Sequence, residues 1–368
     1  MPHEKTMRIF HCDHCDKPVF FENSVCGNCG HTLAYVPELK QVASLDPTGK
    51  NDAVGPAYVT PARESGGRVY RLCANYTTHN VCNWALASED PNALCMSCRL
   101  TQMIPDLTAL HNREAWYKLE TAKRRVIYSL VEHGLPIKNR LEDPKEGLAF
   151  QFLAELPGGP KILTGHEDGV ITISLSEADD AEREKRRQSL HEPYRTLLGH
   201  FRHEVGHYYW DRLIKNSKRL DAFRKLFGDE QADYNSALKE HYDKGPRPNW
   251  NEQFVSAYAS VHPWEDWAET WAHYLHMTDT LETAAACGLS LQPDRNDEPV
   301  MEKPPMKPAA RQTFDEIISN WYPLTYALNS LNRGIGLADA YPFVLPPPAV
   351  EKLRFVHETI CQANGNSC

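Results

Sequence analysis

What this 368-residue chain lacks already narrows its function. No apolar run approaches the ~18 residues that a membrane span requires, which excludes a helical membrane anchor. Positive charge is short: 40 Lys and Arg stand against 49 Asp and Glu, and the net −9 argues against a protein built to grip nucleic acid or an anionic membrane. The N-terminus, Met1-Pro2-His3-Glu4-Lys5, leads straight into polar residues and a cysteine pair, without the apolar stretch of a secretory signal. There is no internal repeat outside the cysteines, and no motif for holding a free amino terminus. These absences predict a soluble, cytoplasmic protein that touches no membrane. Composition (41% apolar, 24% charged) and length predict a folded chain of more than one domain.

Cysteine is abundant, with 11 in the chain and eight of them in the first hundred residues. Cys12-x2-Cys15 and Cys26-x2-Cys29, with Gly27 and Gly30 beside the second pair, form the two knuckles of a zinc ribbon. Each CxxC turn aims two thiolates at one point, and glycine lets the turn close tightly. Cys73, Cys82, Cys95 and Cys98 form a looser group with one knuckle, which predicts a second four-cysteine zinc site, with His79 as the nearest substitute ligand. Four thiolates close the coordination shell, so both sites are expected to be structural. Iron in the first site is the competing choice of metal. Cys287, Cys361 and Cys368 receive no role. Through Pro105, nine Lys and Arg face ten Asp and Glu, so the ribbons are expected to support the fold or contact protein rather than nucleic acid. Residues 37–68, rich in Pro and Gly, read as a long irregular connection between the sites.

After Pro105 the pattern changes. Leu107, Leu110, Trp116, Leu119, Val126, Ile127 and Leu130 recur at helical spacing up to Gly134. Phe150 to Leu153, Lys161 to Leu163 and Gly169 to Leu175 then read as a small sheet, and from Pro193 onward helical spacing dominates.

The chemistry lies in His203-Glu204-Val205-Gly206-His207. Pro193 suits a first helical turn, and Leu197, Phe201, Val205 and Tyr208 share one buried face. His203 and His207, four apart, share another and can meet one ion. In an HExxH helix both imidazoles ligate zinc, and the glutamate takes a proton from the activated water. A metzincin would continue with Gly at 210 and His at 213; here these are Trp210 and Leu213, so that class is excluded. The third ligand is then sought on a later helix within Tyr258 to His273, where Pro263 can open a helix and Glu265 and Glu269 lie one turn apart. Glu265, Glu269, Asp266, His262 and His273 are the candidates. His200, one turn before His203, is a candidate substrate contact or a surface histidine. Asp211, one turn after His207, could orient that imidazole or pair with Lys215.

HEVGH followed by Tyr258-x6-Glu265-x3-Glu269 resembles the gluzincin layout of lethal-factor-type metallopeptidases. The resemblance implies Tyr258 as oxyanion donor, Glu265 as zinc ligand and Glu269 as a supporting residue. The whole chain is also similar to bacterial zinc-binding metallopeptidases with an N-terminal zinc-ribbon domain. That similarity rests on the cysteine groups, the run from Gly199 to Asp211, the segment Trp264 to Tyr274, and Gly336 to Val344. One departure from the lethal-factor pattern is Asp266-Trp267 after the ligand, where two aromatics are usual.

The resulting expectation is an α+β protein with a double zinc ribbon at 1–105 and a mainly helical zincin-like domain with a small sheet at 106–368. It would hold one catalytic and two structural Zn2+. Its substrate would be a peptide or protein, cut with Glu204 as general base, with endopeptidase action preferred and Ile171 to Leu175 as the sheet edge that aligns the substrate. The alternatives are a non-catalytic, zinc-stabilised protein-binding module, or a protease recruited to nucleic acid by its ribbons.

Overall fold

The two cysteine knuckles organise the start of the chain. β1 (Phe10–His11) turns back into β2 (Pro18–Val19) as the Cys12 N–H donates to the Lys17 carbonyl, and Asp16 takes φ 57° to close the turn. The second knuckle repeats this: the Cys26 N–H donates to His31, and Gly30 takes φ 76°. Glycine does the job in one knuckle and aspartate, which tolerates the left-handed region, in the other. The computed structural model describes residues 9–52, 55–155, 158–159, 162–189, 194–295, 297, 301–309 and 312–365.

β3 (Thr32–Val36), β4 (Gln41–Asn51), β5 (Pro56–Val59), β6 (Tyr70–Leu72) and β7 (Ala85–Ala87) form a five-stranded antiparallel sheet in chain order, with the short α1 (Ala74–Thr77) between the last two. The expected irregular connection at 37–68 is therefore corrected, since it carries β4 and β5. Val42, Ala43, Ser44 and Leu45 are all buried, so both faces of β4 pack. Pro47 and Gly49, which suggested a loop, lie where the β4–β5 register shifts, a place where strands accept proline.

A four-stranded sheet follows, in the order β10-β11-β9-β8, made of β8 (Thr101–Met103), β9 (Ala149–Leu153), β10 (Gly165–Glu167) and β11 (Val170–Ser174). β8 and β11 flank β9 in parallel, and β10 is antiparallel to β11. The expectation for Ile171 to Leu175 is corrected: β11 is an interior strand, and the edges are β10 and β8. Asp168 and Gly169 both take positive φ and make a two-residue hairpin turn, which folds β10 back over the outer side of β11. Of the stretch expected as a strand at Lys161 to Leu163, Lys161 lies outside the described residues and Ile162 and Leu163 are irregular.

The remaining helices are α2 (Asn112–Glu132), α3 (Asp180–Ser189), α4 (Leu197–Leu213), α5 (Leu220–Phe227), α6 (Tyr234–Lys244), α7 (Pro263–Ala286), α8 (Phe314–Gly334) and α9 (Pro347–Ala363). α2 stops at Gly134, which takes φ 64°. α4 starts at Leu197, where the Thr196 hydroxyl caps the Gly199 N–H at 3.0 Å; Pro193 lies outside the described residues. One apolar core runs from Phe10 in the first ribbon to Ile360 in α9. The second cysteine group is tied into it, because the buried Arg124 of α2 donates to the Val81 carbonyl. Among the described residues, no helix is long and apolar enough to cross a membrane.

Candidate active site

Two cysteine clusters assemble as the spacing implied. Cys12, Cys15, Cys26 and Cys29 bring their sulfurs together, with Cys12–Cys29 and Cys15–Cys26 both at 3.6 Å. Cys73, Cys82, Cys95 and Cys98 do the same in a fully buried setting, with Cys82–Cys95 at 3.8 Å. A tetrahedral zinc with thiolates at ~2.3 Å needs sulfur separations of ~3.8 Å, so both sets fit that ion. Backbone N–H groups of Trp84, Cys95 and Cys98 point at sulfurs of the second set. Burial disfavours the charge on Arg124, but the sulfurs of Cys82, Cys98 and Cys95, with Glu120, outweigh it and keep the guanidinium charged. His79 packs edge-on against Trp116, its ring 5.4 Å away, and stays out of the cluster. Of the cysteines without a role, Cys287 is exposed at the end of α7, Cys361 lies on α9 with its sulfur 3.6 Å from His357 Nε2, and Cys368 lies outside the described residues.

The third cluster comes from the crossing of α4 and α7. Gly206 makes the crossing close: a Cβ there would meet Ala268 Cα at 3.0 Å and Trp271 Cβ at 3.2 Å. The Trp267 indole N–H donates to the Gly206 carbonyl at 2.8 Å and fixes the rotation of one helix against the other. Pro263 opens α7, and the His262 ring caps the Trp264 N–H, so Glu265 falls in the first turn. Glu265 Oε2 then lies 2.9 Å from His203 Nε2 and 3.5 Å from His207 Nε2, while the two imidazole nitrogens are 3.1 Å apart. Zinc held at 2.0–2.1 Å by such ligands needs separations of ~3.3 Å, so the donor set fits. Burial alone would push the His203 imidazole down, but Glu265 and Glu269 raise it well above the usual histidine range. The cluster therefore attracts positive charge.

Around these three, Glu269 Oε1 accepts from His203 Nδ1 at 2.7 Å, and the Ser256 hydroxyl donates to Glu269 Oε2 at 2.6 Å. The Tyr234 hydroxyl donates to Glu265 Oε1 at 2.7 Å. Trp264 lays its ring 3.8 Å from that of His207. Glu204 is 8% exposed and its Oε2 has no hydrogen-bond partner among the described residues. Tyr258 stands with its ring 5.9 Å from that of His203, on a short 3-10 turn (Tyr258–Ser260) that Pro263 keeps separate from α7.

Of the two readings of Asp211, the ion pair holds: its carboxylate pairs with Lys215 at 3.0 Å, and His207 Nδ1 has no hydrogen-bond partner among the described residues. His200 faces Glu177 at 3.0 Å. Of the other ligand candidates, Asp266 pairs with the buried Lys352, His262 is the α7 cap, and His273 bonds Tyr341 at 2.6 Å. Tyr234, Ser256 and Trp264 were not singled out from sequence. Trp264 adjoins Glu265, but nothing in the spacing of Tyr234 or Ser256 pointed to the site.

Residues 112–359 match a family model described as "Putative zinc-binding metallo-peptidase". The chain belongs to that family. Residues 9–109 match a zinc-ribbon domain model. Proteins of Mycobacterium bovis and of two strains of Mycobacterium tuberculosis, all described as uncharacterized, are similar to this chain: 44% identical over 355 residues, covering 96% of it and 95% of their own length. No solved structure matches. Membership of this metallo-peptidase family agrees with the two four-cysteine sites in supporting zinc binding.

Proposed function

We propose that this protein is a gluzincin-type zinc peptidase in which His203, His207 and Glu265 hold the catalytic ion. Bound zinc would supply Lewis acidity, polarising a peptide carbonyl and acidifying a water. Glu204 takes the proton from that water as its oxygen attacks the carbonyl carbon. When the C–N bond breaks, the same carboxyl delivers the proton to the leaving amine. The Tyr258 hydroxyl donates to the oxygen that gains charge. Tyr234 holds Glu265, Glu269 holds the Nδ1–H of His203, and Trp264 shields His207 from water.

Glu204 carries this reading. It is a nearly buried carboxylate with an unpartnered oxygen, beside three convergent ligand atoms, and a structural metal site has no use for it. The substrate is taken to be a peptide or protein, with internal cleavage preferred. The cysteine sites are taken to be structural, leaving the ribbons free to contact a protein partner, and a reducing compartment such as the cytoplasm would keep their thiols available. The test is Glu204→Gln. It should retain the zinc bound by His203, His207 and Glu265 while hydrolysis of a broad peptide mixture falls at least ~100-fold. Full activity in the variant would overturn the mechanism.

A further inference from the structure

An open cavity of about 340 Å³ adjoins the metal site on its His207 side. Trp264 links the two: its ring packs on His207 and also walls the cavity. Trp210 and Tyr234 add aromatic surface. The charged lining is one-sided, with Glu167, Asp168, Asp211 and Glu230 against Lys215. Asp211 is answered by Lys215, and Glu230 by Arg224. Glu167, at the end of β10, and Asp168, in the turn that follows, are exposed and make no ion pair among the described residues. A second kind of observation points to a ligand crossing this cavity. Trp210 is only 6% exposed, yet among the described residues its indole N–H has no acceptor, and His166, which accepts the Gly169 N–H on Nε2, leaves Nδ1 unpartnered. Both are donors on residues that line the cavity, enclosed in the free protein, and a peptide main chain seated against this wall offers the carbonyl oxygens they lack.

We propose that this cavity is the subsite that receives a lysine or arginine side chain of the substrate, next to the bond that is cut. Carboxylates at the mouth attract the cation, and the indole and phenol faces stabilise it by cation–π contact. This rests on the peptidase reading for its place in the reaction, but not for the binding itself.

The experiment has two arms. In the first, zinc-loaded protein cleaves a mixed peptide library, and kcat/KM is measured for matched peptides with Arg or norleucine at the selected position. A Glu167→Gln/Asp168→Asn double variant is compared; asparagine tolerates the positive φ at 168, so the hairpin is kept. The expected result is a basic preference at one position flanking the cut, which falls about tenfold in the double variant and weakens with added salt. A preference for apolar or acidic residues, or a basic preference that the variant leaves intact, overturns the subsite. In the second arm, Glu204→Gln protein is titrated with N-acetyl-arginine amide and N-acetyl-norleucine amide, followed by tryptophan fluorescence. Selective binding of the arginine compound that the added double substitution removes supports the subsite even where no peptide is cut, a result that would sink only the peptidase reading. Cleavage by wild-type protein together with no selective binding overturns the subsite and leaves the peptidase reading standing.

Discussion

At the scale of single residues, the candidate ligands are held from behind. Glu265 has two oxygens, one turned to the imidazoles and the other held by Tyr234 at 2.7 Å. Removing that hydroxyl leaves the ligand in place but free to rotate. Tyr234→Phe should therefore weaken zinc at this site about tenfold, read by competition with a chromogenic chelator, with little change in thermal stability. Unchanged affinity would remove Tyr234 from the site. The convergence of the candidate ligands was legible because they sit at short, fixed offsets on two helices, His203 four residues before His207 and Glu265 in the first turn after Pro263. Tyr234 and Ser256 carried no signal, because each reaches the site across space from a separate stretch of chain. Asp211 could be read two ways, because one helical turn separates it from both His207 and Lys215, and in the fold Lys215 captures the carboxylate.

At the scale of elements, the α4–α7 crossing decides whether the ligands meet. Gly206→Val would force a side chain against the Ala268 backbone, where a Cβ alone already comes to 3.0 Å. A loss of about 1–3 kcal/mol is expected in chemical denaturation, together with weaker zinc binding as Glu265 is pushed away. The helix before it is held by charge. Glu177 is buried against Arg186, Arg195 and His200, which ties the start of α3 to α4. Burial pushes its carboxyl up, but His200, Arg195 and Arg186 win and hold it at about 2, below its ordinary 4.5. A depressed carboxylate stabilises the folded state above 4.5 and loses that contribution as pH falls towards 2. Glu177→Gln should thus lower Tm at pH 7, by the equivalent of about 2–3 kcal/mol, and the gap from wild type should narrow below pH 4.5. A constant gap across that range would rule the linkage out. The small sheet was legible from its alternating apolar runs, yet its edge was not. The Asp168-Gly169 pair that folds β10 over β11 is a hairpin signal that a three-residue strand made easy to pass over.

For the whole molecule, the two cysteine sites differ in how the core treats them. Cys15 and Cys29 of the first reach solvent, whereas all four sulfurs of the second lie inside the main core. Zinc release to a strong chelator should proceed in distinct phases, with the first ribbon emptied ahead of the second. Loss of the last phase should coincide with collapse of near-UV circular dichroism, since the second site is bonded to α2 through Arg124 and Val81. Simultaneous release of all metal would contradict that order. The cysteine spacing made both sites readable, but spacing says nothing of depth, which depends on α2 closing over the second.

β8 follows directly on Cys98 and runs parallel to β9 at the far side of the sheet from β10. Its Thr101 hydroxyl donates to Glu120 at 2.8 Å, inside a buried Glu120–Lys123 pair. The ribbon region is thus not a detachable module. Cutting the gene after Pro105 would take with it a strand of the second sheet, bare the flank of β9 to pairing with other chains, and leave a buried ion pair without its hydroxyl. A recombinant fragment that begins beyond residue 105 should be found in inclusion bodies, and any transplantation of the helical domain onto another scaffold would have to carry its zinc ribbon along.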